Sequence, residues 1–140
     1  MALWLGIVAA LLVLWAVLNK IREAYGMRMV TCVIRPEQLN DVTAALRRAK
    51  LTTGMTVMDV RGFGRQRGER RTERPHDIEA VRLLPKLKLE ILVRNMEVEQ
   101  TMETIRGALH TGQIGDGKLI VFKAAGAMRV RTGETGIDAV

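Results

Sequence analysis

Residues 86–93, Lys86-Leu87-Lys88-Leu89-Glu90-Ile91-Leu92-Val93, carry the pattern that decides the fold. Every second side chain from Leu87 to Val93 is apolar, and charged side chains stand between the first of them. Because successive side chains of a strand point to opposite faces, this alternation predicts a strand with one buried face. Runs rich in strand-forming residues predict three more strands, at residues 27–35, 55–62 and 119–122.

Two segments between these strands have apolar residues at helical spacing. The first carries Leu39, Val42, Leu46 and Ala49, and the second carries Val98, Met102, Ile105 and Leu109. Pro36 is well placed to open the first helix, and Gly54 is expected to break it. The resulting order, βαββαβ, predicts an α+β domain of the ferredoxin-like class. Two helices cover one sheet face only, so self-association is the natural way to cover the other.

The chain of 140 residues divides into an N-terminal segment, residues 1–26, and one domain, residues 27–140. Residues 2–18 contain no charge and would form a helix of roughly 25 Å, against a hydrocarbon core of about 30 Å. Trp4 and Trp15 lie near its two ends, and Lys20 and Arg22 follow it. We therefore expect a single-pass anchor in the lipid bilayer of the cytoplasmic membrane, with the domain in the cytoplasm.

Two alternatives to an anchor are a cleaved signal peptide and a partner-binding helix. A signal peptide carries its positive charge before the apolar run, whereas here the charge follows it. The single cysteine, Cys32, excludes an intrachain disulfide framework and is expected to lie in a buried strand.

The formal net charge of +7 and the pI of about 10.3 indicate an anionic partner, whether nucleotide, nucleic acid or lipid. Arginines concentrate in the long polar connection between the second and third strands, residues 63–84. Connections of this length are usually functional or disordered. We interpret this one as a recognition loop that a ligand orders, with a solvated flexible hairpin as the alternative.

The last quarter of the chain has the composition that a polyphosphate requires. Gly115-Asp116-Gly117-Lys118 is a glycine-rich turn with a lysine, and Arg129-Val130-Arg131-Thr132-Gly133-Glu134 places two arginines in a run expected to be extended. Glycine lets backbone N–H groups approach phosphate oxygens, and the cationic side chains neutralise them.

These two motifs occur together with Gly62-Phe63-Gly64-Arg65-Gln66-Arg67-Gly68 and Leu84-Pro85-Lys86-Leu87-Lys88-Leu89-Glu90. In this order and spacing, the four motifs resemble those of the nitrogen regulatory P-II signalling proteins over residues 27–140. The resemblance implies a ferredoxin-like homotrimer with ATP or ADP in the clefts between subunits. It also implies that a flexible loop covers each cleft and that 2-oxoglutarate is sensed through a nucleotide-bound Mg²⁺ ion.

The resemblance also implies roles for individual residues. The phosphates would be held by Gly64, Arg65, Gly115, Gly117, Lys118, Arg129 and Arg131, with Gly62 and Asp116 as further nucleotide-binding residues that are equally suited to turns. Thr56 and Glu90 match positions near the nucleoside. Gln66 matches the glutamine linked to Mg²⁺, and Lys86 matches the lysine that pairs with a 2-oxoglutarate carboxylate; an ordinary solvated strand face is the alternative for Lys86.

Two departures from the family pattern bear on regulation. The only tyrosine is Tyr25, outside the domain, and residues 63–84 contain no serine or tyrosine, so covalent control of the loop is not expected. The loop tip differs in sequence, so the usual partners do not carry over. We expect a regulator of a membrane transporter or channel.

Other function classes are less well supported. The sequence has no phosphate-binding Gly-x-x-x-x-Gly-Lys-[Ser/Thr] run and no catalytic triad pattern, which argues against an enzyme. Phe63 and Phe122 are the only aromatic residues of the domain, too few to stack nucleic-acid bases, so no nucleic-acid partner is expected. A membrane-anchored basic adaptor and a nucleic-acid-binding ferredoxin-like domain are the alternatives.

Overall fold

The structure is a computed structural model, which describes residues 2–51, 54–64 and 83–140. Its helices and strands are α1 (Ala2–Ala24), β1 (Met27–Ile34), α2 (Leu39–Ala49), β2 (Thr56–Gly62), β3 (Leu84–Arg94), α3 (Val98–Leu109) and β4 (Lys118–Ala124). Short 3₁₀ turns at Pro36–Gln38, Asn95–Glu97 and Gly136–Ala139 complete it. The predicted βαββαβ order after an N-terminal apolar helix is confirmed.

The four strands form one antiparallel sheet in the order β2-β3-β1-β4. In the register, Thr31 of β1 pairs with Glu90 of β3 and with Ile120 of β4, and Glu90 pairs in turn with Thr56 of β2. Residues paired across antiparallel strands share a sheet face. One row of paired residues therefore runs across all four strands, and it shows which side chains share a sheet face: Thr56, Glu90, Thr31 and Ile120.

One sheet face forms the core with α2 and α3. The alternating residues of β3 that the sequence analysis identified, Leu87, Leu89, Ile91 and Val93, are all buried. Leu46 of α2 and Ile105 of α3 are the largest fully buried helix side chains that pack against them. None of the described helices covers the opposite face, and Phe122 and Ile120 are 52% and 41% exposed on it.

The end of α2 differs from the prediction. The helix ends at Ala49, and Lys50 takes a left-handed conformation with φ 54° and ψ 35°, so Gly54 plays no part in stopping it. The N–H group of Leu51 donates to the carbonyl of Leu46 at 3.2 Å, and the Leu51 side chain is buried. A hydrophobic contact of this kind commonly accompanies a left-handed helix cap. Burial of Leu51 against the core offsets the free-energy cost of the left-handed conformation at Lys50.

The helix α1 runs without a break through the apolar residues 2–18 and on to Ala24. Residues Trp4–Ile21 are long and apolar enough to cross a membrane, and none of this window is buried. Only Tyr25 and Gly26 separate α1 from β1, and the Gly26 carbonyl accepts a hydrogen bond of 2.8 Å from the N–H group of Asn95. Helix α1 also contacts the Asn95–Glu97 turn. The connection between α1 and the domain is therefore short and braced.

The antiparallel topology gives the sheet two different ends. The α1 end holds the start of β1 and the ends of β3 and β4, since Met27 pairs with Arg94 and Ala124. The loop end holds the ends of β1 and β2 and the starts of β3 and β4. The eleven residues of β3 separate the two ends by roughly 34 Å, at about 3.4 Å per residue.

Candidate functional site

The glycine-rich turn before β4 lies at the loop end and is tightly packed against β1. Gly115 and Gly117 have φ angles of 109° and 103°, a region that residues with a side chain rarely adopt. A Cβ atom at Gly117 would overlap the carbonyl oxygen of Val33. The fold therefore requires glycine at 117 whether or not a ligand binds there.

Asp116 braces this turn. Its carboxylate accepts hydrogen bonds from the N–H groups of Thr111 at 2.8 Å and Gly112 at 2.9 Å, and from the Thr111 hydroxyl. The hydrogen bond from the Thr111 side chain is the main cause that lowers the pKa of Asp116, with the backbone bonds adding to it. His110, whose Nδ1 atom is 3.7 Å from the carboxylate, caps the end of α3. Asp116 thus has the turn-forming role, and its contact with nucleotide stays a prediction.

A small cleft lies between this turn and the end of α3. Its volume is about 150 Å³, and it is lined by Cys32, Arg106, Leu109, His110, Asp116, Gly117, Lys118 and Leu119. Ligand pockets usually measure about 300–1,000 Å³, so this cleft is too small to enclose a nucleotide. Burial raises the pKa of the Cys32 thiol to about 11, which makes Cys32 the inert buried cysteine that the sequence predicts.

The first glycine motif also reaches the loop end. Gly62 is the last residue of β2, and a Cβ atom there would stand 3.3 Å from Cγ of Lys86 on the neighbouring strand. Gly64 has open space around it, and Phe63 is 69% exposed. Arg65 and Gln66 lie outside the described residues, as does most of the predicted 63–84 loop.

Thr56 and Glu90, the residues predicted near the nucleoside, are direct partners across β2 and β3. They lie on the uncovered sheet face, where Oε1 of Glu90 also forms an ion pair of 2.8 Å with Nζ of Lys88. The structure therefore places the two residues side by side on one sheet face, and their contact with a nucleoside stays a prediction.

The prediction that Arg129 and Arg131 lie in an extended run is wrong. The N–H groups of Thr132 and Gly133 donate to the Arg129 carbonyl at 3.2 Å and 2.8 Å, which closes a turn in which Gly133 has φ 76°. Glu134 forms an ion pair with Arg129 and accepts a 2.7 Å hydrogen bond from the Thr132 hydroxyl. These local contacts overcome the extended tendency of the sequence and leave Arg131 on the exposed tip.

One chain does not assemble the predicted residues into one site. Gly62, Lys86 and the turn through Lys118 share the loop end, yet β2 and β4 are the outer strands and lie roughly 14 Å apart at about 4.8 Å per strand. Arg129 and Arg131 follow β4 beyond its opposite end, five residues or more after Ala124. Within the described residues, no hydrogen bond or ion pair joins this turn to residues 115–118.

Sequence reasoning missed the residues that hold the glycine turn in place. Thr111 supplies most of the hydrogen bonds to Asp116, and Val33 supplies the surface against which Gly117 packs. A threonine and glycine directly after a helix, with an aspartate five residues after the threonine, was the local signal available. The contact with Val33 had no such signal, because it joins residues far apart in the chain.

The described residues contain no cluster of three or more histidine, cysteine or acidic side chains that could hold a metal ion. Joint binding of Mg²⁺ by the phosphates of a nucleotide and by Gln66 stays a prediction, since Gln66 lies outside the described residues. Such shared coordination is usual for Mg²⁺, which tends to bind through few protein groups and substrate phosphates.

Comparison with known proteins gives consistent matches over the domain. The family model described as Nitrogen regulatory protein P-II matches residues 27–134. Nitrogen regulatory protein P-II 1 of Methanothermobacter thermautotrophicus is 46% identical over 114 residues, which cover 81% of this chain and 97% of that relative. Nitrogen regulatory protein P-II of Mesorhizobium japonicum is 43% identical over 114 residues, which cover 81% of this chain and all of that relative.

A solved structure agrees with these sequence matches. The crystal structure of Arabidopsis thaliana PII bound to citrate aligns with a TM-score of 0.67 and 35% identity. The alignment covers 82% of this chain and 92% of the Arabidopsis chain. Helix α1 precedes residues 27–134, the region that the family model matches.

Proposed function

Because the chain belongs to the nitrogen regulatory protein P-II family, we propose that it is a signal-transduction regulator that binds ATP or ADP between its subunits. Regulation by binding agrees with the expectation that the chain is not an enzyme. Effector binding at the loop end would control a membrane partner through the 63–84 loop. The protein would be held in the cytoplasmic membrane by α1, with residues 27–140 in the cytoplasm.

The observation that carries the nucleotide proposal is the braced turn of residues 111–118. Its two glycines have positive φ angles, and its aspartate is occupied by Thr111 and Gly112. A rigid turn of this kind presents backbone N–H groups to an anion without further ordering, and Lys118 directly after it adds a full positive charge. Gly62 and Lys86 lie at the same end of the sheet.

A homotrimer would complete the site. Met58, Leu92, Ile120 and Phe122 lie on the sheet face that no helix covers. Burying this face against other copies would remove exposed apolar surface from water. The same association would let the Arg129–Glu134 turn of one subunit reach residues 115–118 of another, which one chain does not achieve.

The second effector we propose is 2-oxoglutarate, bound with Mg²⁺ through Lys86 and Gln66. The Arabidopsis relative was crystallised with citrate, which is also a small polycarboxylate. Lys86 is held beside Gly62, so its ammonium group would lie next to the root of the loop. Bound effectors would shift the loop between states in proportion to their differential affinity for those states.

The position of the loop restricts the membrane partner. The loop leaves the sheet at Gly62 and returns at Leu84, roughly 34 Å from the α1 end along β3, at about 3.4 Å per residue. A transporter with a cytoplasmic domain of similar height fits this geometry. A channel whose mouth lies level with the lipid surface fits it less well.

Calorimetry on the full chain in detergent micelles or nanodiscs tests nucleotide binding. We expect ATP and ADP to compete for one class of site, and we expect 2-oxoglutarate to strengthen ATP binding only when Mg²⁺ is present. Binding of nucleotide without this coupling would remove Lys86 and Gln66 from the effector role. A chain that binds neither nucleotide would contradict the proposal and favour a membrane-anchored basic adaptor.

A mixed-subunit experiment tests whether two chains share each site. Lys118→Met and Arg131→Met chains with different affinity tags are expressed together, and trimers that contain both tags are purified. Each variant alone should lose ATP binding, because each damages every site. Mixed trimers should regain some intact sites, since one interface would combine the native Lys118 with the native Arg131. Mixed trimers that regain no binding would contradict a site shared in this way.

A further inference from the structure

We propose that the α1 end of the domain is a lipid-contact surface that docks on anionic phospholipid headgroups. This inference rests on the proposed function in one respect, namely that α1 spans the membrane. It concerns the folded domain itself, in addition to the helix that anchors it. The surface is formed by Tyr25, the Arg94–Met96 segment and the β1 and β4 residues Arg28 and Lys123.

The short connection holds this surface close to the bilayer. The apolar window ends at Ile21, three residues before α1 ends and six before β1 begins. Three helical steps and three extended ones separate Ile21 from Met27 by about 15 Å at most. The headgroup layer is about 5–7 Å thick, and the Debye length at physiological salt is about 8 Å. The strand ends therefore lie within electrostatic reach of the headgroups.

The domain is also unable to swing far from this position. Helix α1 is continuous to Ala24, and the hydrogen bond from the Asn95 N–H group to the Gly26 carbonyl ties the connection to the end of β3. The contact between α1 and the Asn95–Glu97 turn adds a second brace.

The chemistry of the surface suits a headgroup layer. Arg28 of β1 pairs directly with Lys123 of β4 on the sheet face that carries the core, and Arg94, which pairs with Met27, lies at the next register position on the other face. Basic side chains therefore flank this end of the sheet on both faces. Exposed Arg94, together with Lys20 on the last turns of α1, extends the basic surface towards the membrane.

Two exposed side chains on the same surface are amphipathic or apolar. Tyr25 is 64% exposed and Met96 is 70% exposed. Each lies beside the junction of α1 with the domain. Tyrosine favours the membrane interface, where its ring meets acyl chains and its hydroxyl meets water. The surface also contains the acidic residue Glu97. Its carboxylate accepts a 3.2 Å hydrogen bond from the Arg94 N–H group.

The experiment uses the full chain in nanodiscs of phosphatidylcholine, with and without phosphatidylglycerol. A fluorophore is attached at Met96→Cys, or at Ile114→Cys as the matched control at the loop end. Both positions are highly exposed, at 70% and 65%, and the buried Cys32 with its raised pKa leaves little background labelling. Quencher lipids carry their quenching group on the headgroup.

We expect strong quenching at position 96, more with phosphatidylglycerol than without it, and little quenching at position 114 under either condition. Arg94→Gln should reduce the equilibrium constant between docked and undocked domain, measured at position 96, by about fivefold, the effect of one basic side chain near an anionic surface. Arg106→Gln, which removes an exposed arginine from α3 beside the loop-end cleft, should leave that population unchanged.

The possible failures are distinguishable. A chain that is extracted from membranes by alkaline carbonate lacks the anchor, which would overturn both the anchoring part of the proposed function and this inference. A chain that stays in the membrane but shows equal, weak quenching at positions 96 and 114 would overturn the docking surface alone. Strong quenching at position 96 that changes neither with phosphatidylglycerol nor with Arg94→Gln would overturn the electrostatic basis of the docking.

Discussion

The two ends of the β-sheet are built in opposite ways. At the loop end, Gly62, Gly115 and Gly117 bring backbone segments close together, and Asp116 holds its turn through hydrogen bonds to neighbouring N–H groups. At the α1 end, Arg28, Arg94 and Lys123 lie at or one residue from the strand ends, and the long apolar helix α1 ends with two residues between it and β1. The first arrangement favours binding of a small anion, and the second favours attachment to an extended anionic surface.

Under the proposed function, this difference would separate sensing from attachment by the length of β3. Because the sheet is antiparallel, the chain enters at one end, and the strand ends that flank the 63–84 segment lie at the other. A ligand bound at the loop end would then lie far from α1. The following predictions test this separation, starting with the largest expected effect.

Gly117→Ala should cause the largest loss of stability. The new Cβ atom would overlap the carbonyl oxygen of Val33, and the residue would also keep a positive φ angle. We expect a loss of about 3 kcal/mol in the free energy of unfolding, since strain and overlap combine. Chemical denaturation of the full chain in detergent measures this change.

The matched control for this substitution is Gly112→Ala in the same turn. Gly112 has φ 77° but open space where a Cβ atom would stand, so it reports the cost of the backbone conformation alone. That cost is about 1–2 kcal/mol. Equal losses for the two variants would show that the contact with Val33 is unimportant.

Lys118→Met and Lys123→Met compare the two ends along a single strand. Lys118 begins β4 at the loop end, and Lys123 lies one residue before its other end. Losing a charged hydrogen bond worth about 1.5–3 kcal/mol should weaken ATP binding by roughly 10- to 150-fold in Lys118→Met. Lys123→Met should bind ATP normally. Calorimetric titration checks both, and similar losses for the two would contradict the separation of the ends.

Asp116→Asn should alter how stability depends on pH. Hydrogen bonds from Thr111 lower the pKa of the Asp116 carboxyl in the folded protein, from an ordinary value of 3.8. A lowered pKa means that the charged group stabilises the fold above about pH 4 and that this contribution is lost as the pH falls through the lowered pKa. Melting temperatures of the two proteins should thus differ near neutral pH and converge in acid. A constant difference across this range would contradict the assignment.

The smallest expected effect is a change in the reactivity of Cys32. This thiol lies beside the cleft under the loop-end turn, and its pKa of about 11 keeps it protonated at neutral pH. Reaction with a thiol reagent should therefore be slow and should report openings of the turn. Asp116→Asn should increase the rate, while Arg94→Gln at the α1 end should leave it unchanged. Equal acceleration by both would mean that the two ends open together.

Local patterns predicted the regular elements because helices and strands are local in origin. The alternation of residues 86–93 identified β3 and its buried face, and the spacing of Leu39, Val42 and Leu46 identified α2. The sequence-based predictions were wrong where a side-chain contact selects one of two backbone conformations that the local sequence allows. Burial of Leu51 ends α2 at Lys50 before Gly54 is reached, and the ion pair of Arg129 with Glu134 helps close a turn that was expected to be extended.

The sequence predicted which residues form the candidate site, but it predicted only in part where those residues lie relative to one another. Four ordered motifs indicated the family, and the family match and the relatives at 40% identity or more bear this out. The ligand roles of Arg65 and Gln66 stay predictions, since both lie outside the described residues. The division of the chain into residues 1–26 and 27–140, and its place in the membrane, also stay predictions.

Composition and periodicity are enough to predict the apolar helix, the βαββαβ order and the presence of anion-binding residue types, because these signals act over a few turns or a single strand. The tertiary structure places α1 and the two strand ends that flank the 63–84 segment, Gly62 and Leu84, at opposite ends of the sheet, and it packs Gly117 against Val33. It also decided that Lys118 and Arg131 do not meet within one chain. These facts depend on which strands pair and in what register, and strand pairing joins residues that no local pattern connects.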